Sequence, residues 1–132
     1  MGAVAYLVDT HTFLWAVQKD VKLSNPAKKA MNDPNTQKFI SAVSAYEVMY
    51  KQQLGKLHEY DEVANNYFSF MKKLGVTELP INSKHTHFAG KLVWAHRDPF
   101  DRLLAAQAFT ENMVLITNDS IFDTLSWVSV LW

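Results

Sequence analysis

The chain of 132 residues contains no cysteine and only four glycines. Without cysteine, the sequence excludes disulfide frameworks, thiolate zinc sites and cysteine nucleophiles, and nothing points to an oxidising compartment. With so few glycines, and none in a glycine-rich motif, we expect no phosphate-cradling loop. No G-x-S-x-G or S-x-x-K pattern supports a serine nucleophile. No apolar run approaches the roughly 20 residues of a membrane span, so no membrane association is expected.

The sequence also lacks an excess of charge of either sign, because thirteen basic and thirteen acidic residues cancel. A typical DNA-binding domain has a net positive charge that attracts nucleic acid over its whole surface. Any contact of this chain with nucleic acid must therefore be local. Both arginines, Arg97 and Arg102, fall in one short segment with His96, Asp98 and Asp101. This segment has the highest density of chemically active side chains.

The composition is that of a globular protein, with 48% hydrophobic and 20% charged residues. The length is close to that of one domain, so we expect a single domain over residues 1–132. Residues 1–6 have neither the basic region of a signal peptide nor a myristoylation motif. We therefore expect no targeting segment and a cytoplasmic location.

Predicted strands and helices alternate along the chain. Short apolar runs predict strands at residues 4–8, 38–41, 76–81, 114–117 and 128–131. Periodicity and capping residues predict helices from residue 13 to 17, from 24 to before 33, from 44 to 55, 61–74, 83–94 and 98–112, with a helical turn after residue 120. This alternation indicates an α/β fold, a three-layer sandwich with a central, mainly parallel sheet flanked by helices.

Acidic residues follow three of these strands. Asp9 follows the first, Glu47 comes shortly after the second and Asp119 follows the fourth, while Asp98 and Asp101 begin the helix that precedes the fourth strand. Ligands of such sheets bind beyond the carboxyl ends of the strands. Clustered carboxylates repel one another unless a cation neutralises them, and hard oxygen ligands suit Mg²⁺ or Mn²⁺.

Each acid also has a structural alternative. Asp98 and Asp119 are each placed to cap a helix, and Asp101 lies in a first helical turn, where an acid is favourable. Glu47 stands three residues after Ser44 in the form of a capping box. The metal hypothesis therefore depends on the set of acids and not on any one of them.

The histidines do not form a metal site by spacing. His85 and His87 would point to different faces of a helix, so the histidines are interpreted as surface residues. His11 and His96 are placed near the expected carboxylate edge, where they could contact a substrate. Lys51 lies one helical turn after Glu47, as a simple ion pair or as a cation that holds a phosphate.

Four segments, in order and spanning almost the whole chain, resemble the successive motifs of PIN-domain proteins of the VapC type. They are LVDTHTFLW at residues 7–15, SAVSAYEV at 41–48, HRDPFDRLLAAQA at 96–108 and LITND at 115–119. The resemblance implies a parallel sheet flanked by helices, endonucleolytic cleavage of RNA with Mg²⁺ or Mn²⁺, a small antitoxin as partner and a homodimer. It places the catalytic, metal-binding acids at Asp9, Glu47, Asp101 and Asp119.

Six further residues are expected in auxiliary roles. Asp98 is expected to be either an auxiliary acid or a helix cap. The hydroxyls of Thr10 and Thr117 are expected to hold the metal ligands in place. The cations expected to bind the substrate are Lys51, Arg97 and Arg102.

Three other functions are compatible with parts of this pattern. A phosphatase with an aspartyl nucleophile at Asp9 would need a second acid two residues later, where this chain has His11. A receiver-type signalling domain would need an acidic pair after the first strand and a lysine after a late strand. A catalytically inactive PIN-fold module that binds RNA or protein is the third alternative, since a fold does not determine a function.

Overall fold

The computed structural model describes residues 4–132. The first three residues, on which the expectation about targeting partly rests, lie outside this range. The elements are β1 (Ala5–Val8), α1 (Thr10–Gln18), α2 (Asn25–Asn32), β2 (Gln37–Ser41), α3 (Ala42–Gln53), α4 (Asp61–Asn65), α5 (Tyr67–Leu74), β3 (Val76–Leu79), α6 (Ser83–Lys91), α7 (Pro99–Thr110), β4 (Val114–Ile116) and β5 (Val130–Leu131), with 3₁₀ turns at His58–Tyr60 and Ser120–Thr124. Within residues 4–132, no helix is both long and apolar enough to cross a membrane.

The five strands form one parallel sheet in the order β3-β2-β1-β4-β5. In the central strand β1, Val8 lies opposite Ile40 of β2 and Ile116 of β4. Because all strands run in one direction, their carboxyl ends meet at a single edge of the sheet. The expected α/β fold with a parallel sheet is confirmed.

Alternate side chains of β1 bury opposite faces of the sheet. Val8 packs with Phe13 of α1 in one hydrophobic cluster, and Leu7 packs with Leu104 of α7 and Phe122 in another. All of these side chains are buried. The sheet therefore has a hydrophobic core on each face, as a three-layer sandwich requires.

Several predicted boundaries are wrong by a few residues. Helix α1 begins at Thr10 and not at residue 13, so no loop separates it from Asp9. The predicted helix over residues 61–74 is interrupted at Asn66, whose φ of −125° is not helical and whose side chain donates to the Glu62 carbonyl. This local hydrogen bond offers the chain an alternative to continuing the helix. Strand β3 ends at Leu79 because Pro80 cannot continue the hydrogen-bond ladder.

Helix α6 is capped by Asn82, and not by Ser83 as predicted, and it ends at Lys91. The Asn82 side chain accepts the His85 N–H at 3.1 Å, and His85 Nδ1 accepts the Asn82 N–H at 3.2 Å. His85 is buried, and its Nε2 lies 3.0 Å from a Glu111 carboxylate oxygen. The interpretation of His85 as a surface residue is therefore wrong, because the ring forms half of a capping box.

Candidate active site

Asp9 lies at the junction of β1 and α1, where the N-cap residue of the helix stands. Its side chain makes no capping hydrogen bond. Its Oδ2 atom instead accepts a 2.7 Å hydrogen bond from Thr117, beyond the end of β4. Burial raises the pKa of the Asp9 carboxyl, the Thr117 hydrogen bond opposes this, and the charge of Glu47 raises the pKa further. Asp9 is therefore directed toward the neighbouring strand end rather than used as a cap.

Thr117 joins two of the predicted acids. Its buried hydroxyl donates to Asp9 and accepts the backbone N–H of Asp119 at 3.0 Å. Asp119 caps the following 3₁₀ turn through its Oδ1 atom, which accepts the Ile121 N–H at 3.0 Å. The capping role considered for Asp119 is confirmed. Only one of its two carboxylate oxygens is used for this cap.

Asp98 caps helix α7 as expected, because its Oδ1 atom accepts the N–H groups of Phe100 at 2.9 Å and Asp101 at 3.4 Å. Asp101, in the first turn of this helix, has its Oδ2 atom 2.7 Å from His96 Nε2. The cap therefore begins α7 at the position that brings Asp101 against His96.

The charges of three other acids act on Asp101. The pKa of Asp101 is raised from 3.8 to about 6, mainly by burial of its carboxyl. The hydrogen bond to His96 opposes this rise, and the charges of Asp98, Asp9 and Asp119 add to it. Asp101 is therefore within electrostatic reach of the acids that follow β1 and β4.

The capping box predicted for Ser44 and Glu47 is wrong. Helix α3 begins at Ala42 and is capped by Ser41, whose Oγ atom accepts the Val43 N–H at 3.1 Å. Ser44 and Glu47 consequently lie inside the helix, and both are buried. The capping-box alternative for Glu47 is therefore removed. Because a buried carboxylate cannot rely on water, Glu47 needs partners within the protein.

Two partners hold the Glu47 carboxylate. Thr10 Oγ1 lies 2.6 Å from Oε1, and Lys51 Nζ lies 2.6 Å from Oε2. Thr10 Oγ1 also lies 2.8 Å from Ser44 Oγ. Because a hydroxyl has one hydrogen, Thr10 donates to the Glu47 carboxylate and Ser44 donates to Thr10.

Lys51 is the cation nearest to this group of acids. Burial of its ammonium lowers the pKa of Lys51, but the hydrogen bond to Glu47 and the charges of Glu47, Asp98 and Asp101 outweigh burial and raise it. The i,i+4 ion pair considered for Lys51 is present. Lys51 is therefore charged, contacts Glu47 and lies within electrostatic reach of Asp98 and Asp101.

The two arginines have different environments. Arg102 donates to four backbone carbonyls, those of Ala89, Leu92, Trp94 and His96, at 2.6–3.2 Å. Every nitrogen of its guanidinium therefore holds the backbone before α7, which gives Arg102 a structural role, and the expectation that it also contacts substrate stays a prediction. Arg97 is exposed.

An open cleft of about 290 Å³ is lined by Asp9 and Asp119, together with His11, Trp15 and Asn118. The expectation that His11 lies at the carboxylate edge is confirmed. Within residues 4–132, three His or Asp side chains have ligand atoms that all lie within 4.8 Å of one another, namely His96, Asp98 and Asp101. The predicted set of Asp9, Glu47, Asp101 and Asp119 is not gathered that closely.

The donors at this edge fit a divalent cation. Carboxylate oxygens are the ligands that Mg²⁺ and Mn²⁺ prefer. In the part of the chain that the structure describes, neither Asp9 nor Asp119 forms a salt bridge, and Lys51 neutralises Glu47. Asp101 is paired with His96. Among the described residues no lysine or arginine pairs with Asp9, Asp101 or Asp119, so part of their mutual repulsion is left for a cation to neutralise.

Comparison with known proteins agrees with this architecture. A family model described as PIN domain matches residues 6–128. The chain is similar to VapBC-1 from nontypeable Haemophilus influenzae (TM-score 0.70, 20% identity, 97% of each chain covered) and to VapBC2 from Rickettsia felis bound to a DNA fragment from its promoter (0.68, 19%, 97% of this chain and 98% of that chain).

A third similar structure is VapBC-5 from Mycobacterium tuberculosis, a member of the VapBC family of toxin–antitoxin systems (TM-score 0.60, 15% identity, 97% of this chain and 96% of that chain covered). These low identities establish the fold alone. No curated protein matches the chain. The match of the family model over nearly all of the sequence shows that the chain belongs to the PIN-domain family.

Proposed function

We propose that this chain is a metal-dependent endoribonuclease of the VapC type and the toxin of a bacterial toxin–antitoxin pair. Its ligands for Mg²⁺ or Mn²⁺ are Asp9, Glu47, Asp101 and Asp119. The observation that carries this proposal is that Asp9 and Asp119 follow neighbouring strands of a PIN-domain sheet and line one open cleft at its carboxyl edge, with Asp101 within reach of their charges.

The hydroxyls of the site position the acids in this proposal. Thr117 fixes Asp9 relative to Asp119, and Thr10 fixes Glu47. Such contacts restrict the rotation of each carboxylate, so the ligands are arranged before any ion arrives. When bound, a divalent ion supplies Lewis-acid polarisation of a phosphodiester and of the attacking water.

The cations of the site are assigned to the RNA backbone. Lys51 faces the acids, and Arg97 is exposed beside Asp98. Both are placed to bind phosphate oxygens on either side of the scissile bond, Lys51 by sharing its ammonium between Glu47 and the phosphate. The partners of the proposal are RNA as substrate, a small antitoxin that blocks the site and a second copy of the chain, with the cytoplasm as the place of action and one domain over residues 1–132.

The test compares the purified chain with its Asp9→Asn variant on structured and single-stranded RNA, with Mn²⁺, with Mg²⁺ and with chelator. We expect metal-dependent cleavage that the variant loses by at least about a hundredfold, because the amide is a poorer ligand than a carboxylate. Asp123→Asn is the matched control, since Asp123 is exposed and lies outside the cleft.

A second readout does not depend on cleavage. Mn²⁺ should raise the melting temperature of the wild-type chain and of Asp123→Asn, but not that of Asp9→Asn, because only a ligand bound to the folded state stabilises it. Cleavage that persists in Asp9→Asn at saturating metal would refute the assignment. Metal binding without cleavage of any RNA would favour the inactive binding module.

A further inference from the structure

An aromatic groove lies beside the carboxylates, between α3 and the beginning of α7. It is lined by Tyr46 and Tyr50 of α3, by Phe100 of α7 and, at one end, by the charged side chains of Lys51 and Asp98. We refer to these residues as the aromatic groove. Most of its lining is apolar, so it is chemically different from the acidic cleft at Asp9 and Asp119.

The rings of the groove are arranged for stacking and are open to solvent. Tyr46 and Tyr50 lie nearly parallel, at 20°, with centroids 5.8 Å apart, and Phe100 lies 5.9 Å from Tyr46. Tyr46 is 62% exposed and Tyr50 is 47% exposed. Aromatic rings in a core would be buried, whereas about half or more of each of these two side chains is exposed to solvent beside the groove.

The groove is continuous with the carboxylate site through Lys51. The Lys51 ammonium bonds to Glu47, and the same side chain lines the groove together with Asp98. A nucleic-acid strand whose phosphate lies at the carboxylates would therefore pass Lys51 and bring an adjacent base over the tyrosine rings.

We propose that the aromatic groove stacks a nucleobase of single-stranded RNA next to the phosphate that is cleaved. This inference rests on the proposed nuclease function and names the form of its substrate. Proteins that bind single strands combine aromatic platforms with cations for the backbone, and stacking accepts any base because every base has a flat face. Tyr46 and Tyr50 supply the platform and Lys51 supplies the cation.

A protein segment is the alternative occupant of the groove. Helices that dock into grooves insert several aliphatic anchors, and the groove does contain the apolar side chains of Val43, Pro99 and Leu103. What favours a single strand is the pair of exposed, stacked tyrosine rings with the Lys51 ammonium beside them, which matches the alternation of base and phosphate.

The test measures RNA affinity directly, in the Asp9→Asn background so that the probe is not cut. The probe is a short single-stranded oligoribonucleotide with one 2-aminopurine, whose fluorescence is quenched when the base stacks. We expect Tyr46→Ala and Tyr50→Ala to raise the Kd roughly 5- to 100-fold each and to reduce the quenching. Tyr46→Phe keeps the ring and should keep both affinity and quenching. Phe68→Ala removes an exposed ring from α5 and serves as the control.

The outcomes separate this inference from the proposed function. Unchanged affinity and quenching in Tyr46→Ala and Tyr50→Ala would overturn the stacking role, even if Asp9→Asn still abolishes cleavage. Loss of both affinity and quenching in the alanine variants would support stacking even if no condition for cleavage is found. A change of oligomeric state in Tyr46→Ala, measured by sedimentation, with unchanged RNA affinity would instead identify the groove as an interface between copies and would also overturn it.

Discussion

Thr117 is the residue whose hydrogen bonds connect the ends of two strands. Its hydroxyl donates to Asp9, which follows β1, and accepts the N–H of Asp119, which follows β4. A buried hydroxyl with both roles filled sets the position of the two acids relative to one another. We expect the preorganisation of the metal site to depend on this hydroxyl.

Thr117→Val keeps the size of the side chain and removes the hydroxyl. We expect a roughly 10- to 100-fold loss of Mn²⁺ affinity, because Asp9 loses the donor that fixes its orientation, and a stability loss of about 1–3 kcal/mol from the unpaired Asp119 N–H. Titration calorimetry measures the affinity and urea denaturation measures the stability. Thr117→Ser should restore both.

Thr110→Val is the control for this prediction, because the Thr110 hydroxyl bonds only to the Ala106 carbonyl of its own helix. It should leave Mn²⁺ binding unchanged. If Thr117→Val bound Mn²⁺ as tightly as the wild-type chain, the two acids would be positioned without the hydroxyl and this account of the site would be wrong.

Sequence reasoning at the residue scale succeeded for acids whose partners are near in sequence. The caps at Asp98 and Asp119 are confirmed. They could be predicted because a cap bonds to N–H groups only two or three residues away. The capping box at Glu47 is wrong, because the pattern S-x-x-E does not show that Ser41 has already capped the helix. The hydrogen bonds of Thr10 to Glu47 and of Thr117 to Asp9 join residues 37 and 108 positions apart, and no local pattern specifies such partners.

At the scale of elements, the segment between α6 and α7 is held at several points by the side chain of Arg102. Residues 92–98 contain no helix or strand, and Arg102 of α7 reaches back to the carbonyls of Leu92, Trp94 and His96. The fork of the guanidinium matches several acceptors at once, which an ammonium group cannot do. Arg102 therefore determines the path that brings His96 to Asp101.

Arg102→Lys should lower the free energy of unfolding by roughly 2–4 kcal/mol, because most of these carbonyls would lose their donor while half-buried. Urea denaturation measures this change, and faster amide hydrogen exchange at residues 92–96 should accompany it. Arg97→Lys, at an exposed position, should change neither quantity. Unchanged stability together with weaker RNA binding would show that Arg102 contacts substrate after all.

Element boundaries were predicted correctly where the residues at the boundary specify it, and wrongly where an apolar pattern continues through a break. Asp98 followed by Pro99 begins α7 as predicted, because proline suits the first turn and the aspartate caps it. The break at Asn66 was not predicted, because the apolar periodicity continues through it although the backbone there is not helical. The alternation of strands and helices predicted a parallel sheet, but not the order in which the strands lie side by side.

At the scale of the whole molecule, the strand order places the site. The chain leaves β1 toward β2 on one side and returns to pair β4 on the other side. The connections that follow β1 and β4 therefore lead away from each other, which opens a crevice at the carboxyl ends of these two strands. Asp9 and Asp119 follow these two strands and line that crevice. Any fold with this topology has the crevice, whereas the acids in it are particular to the sequence.

The overall neutrality of the chain leads to a prediction about RNA binding. Thirteen basic and thirteen acidic residues cancel, so the attraction for RNA must come from the few cations near the crevice, Lys51 and Arg97. Each neutralised phosphate of a single strand contributes about −0.7 to the slope of log K against log salt. We therefore expect a slope of roughly −1 to −2, measured by fluorescence anisotropy of the Asp9→Asn variant with oligoribonucleotide at constant Mn²⁺.

Lys51→Gln should make this slope shallower by about 0.7, because one phosphate contact is lost. Lys72→Gln is the matched control, since Lys72 is exposed near the end of α5, just before β3 begins and therefore at the opposite, amino-terminal edge of the sheet. A wild-type slope steeper than about −4 would require more cationic contacts than this edge supplies. Such a result would place the RNA across one of the lysine-bearing surfaces elsewhere on the molecule, whereas a shallow slope that changes only with Lys51 would confine binding to the acidic crevice and the groove beside it.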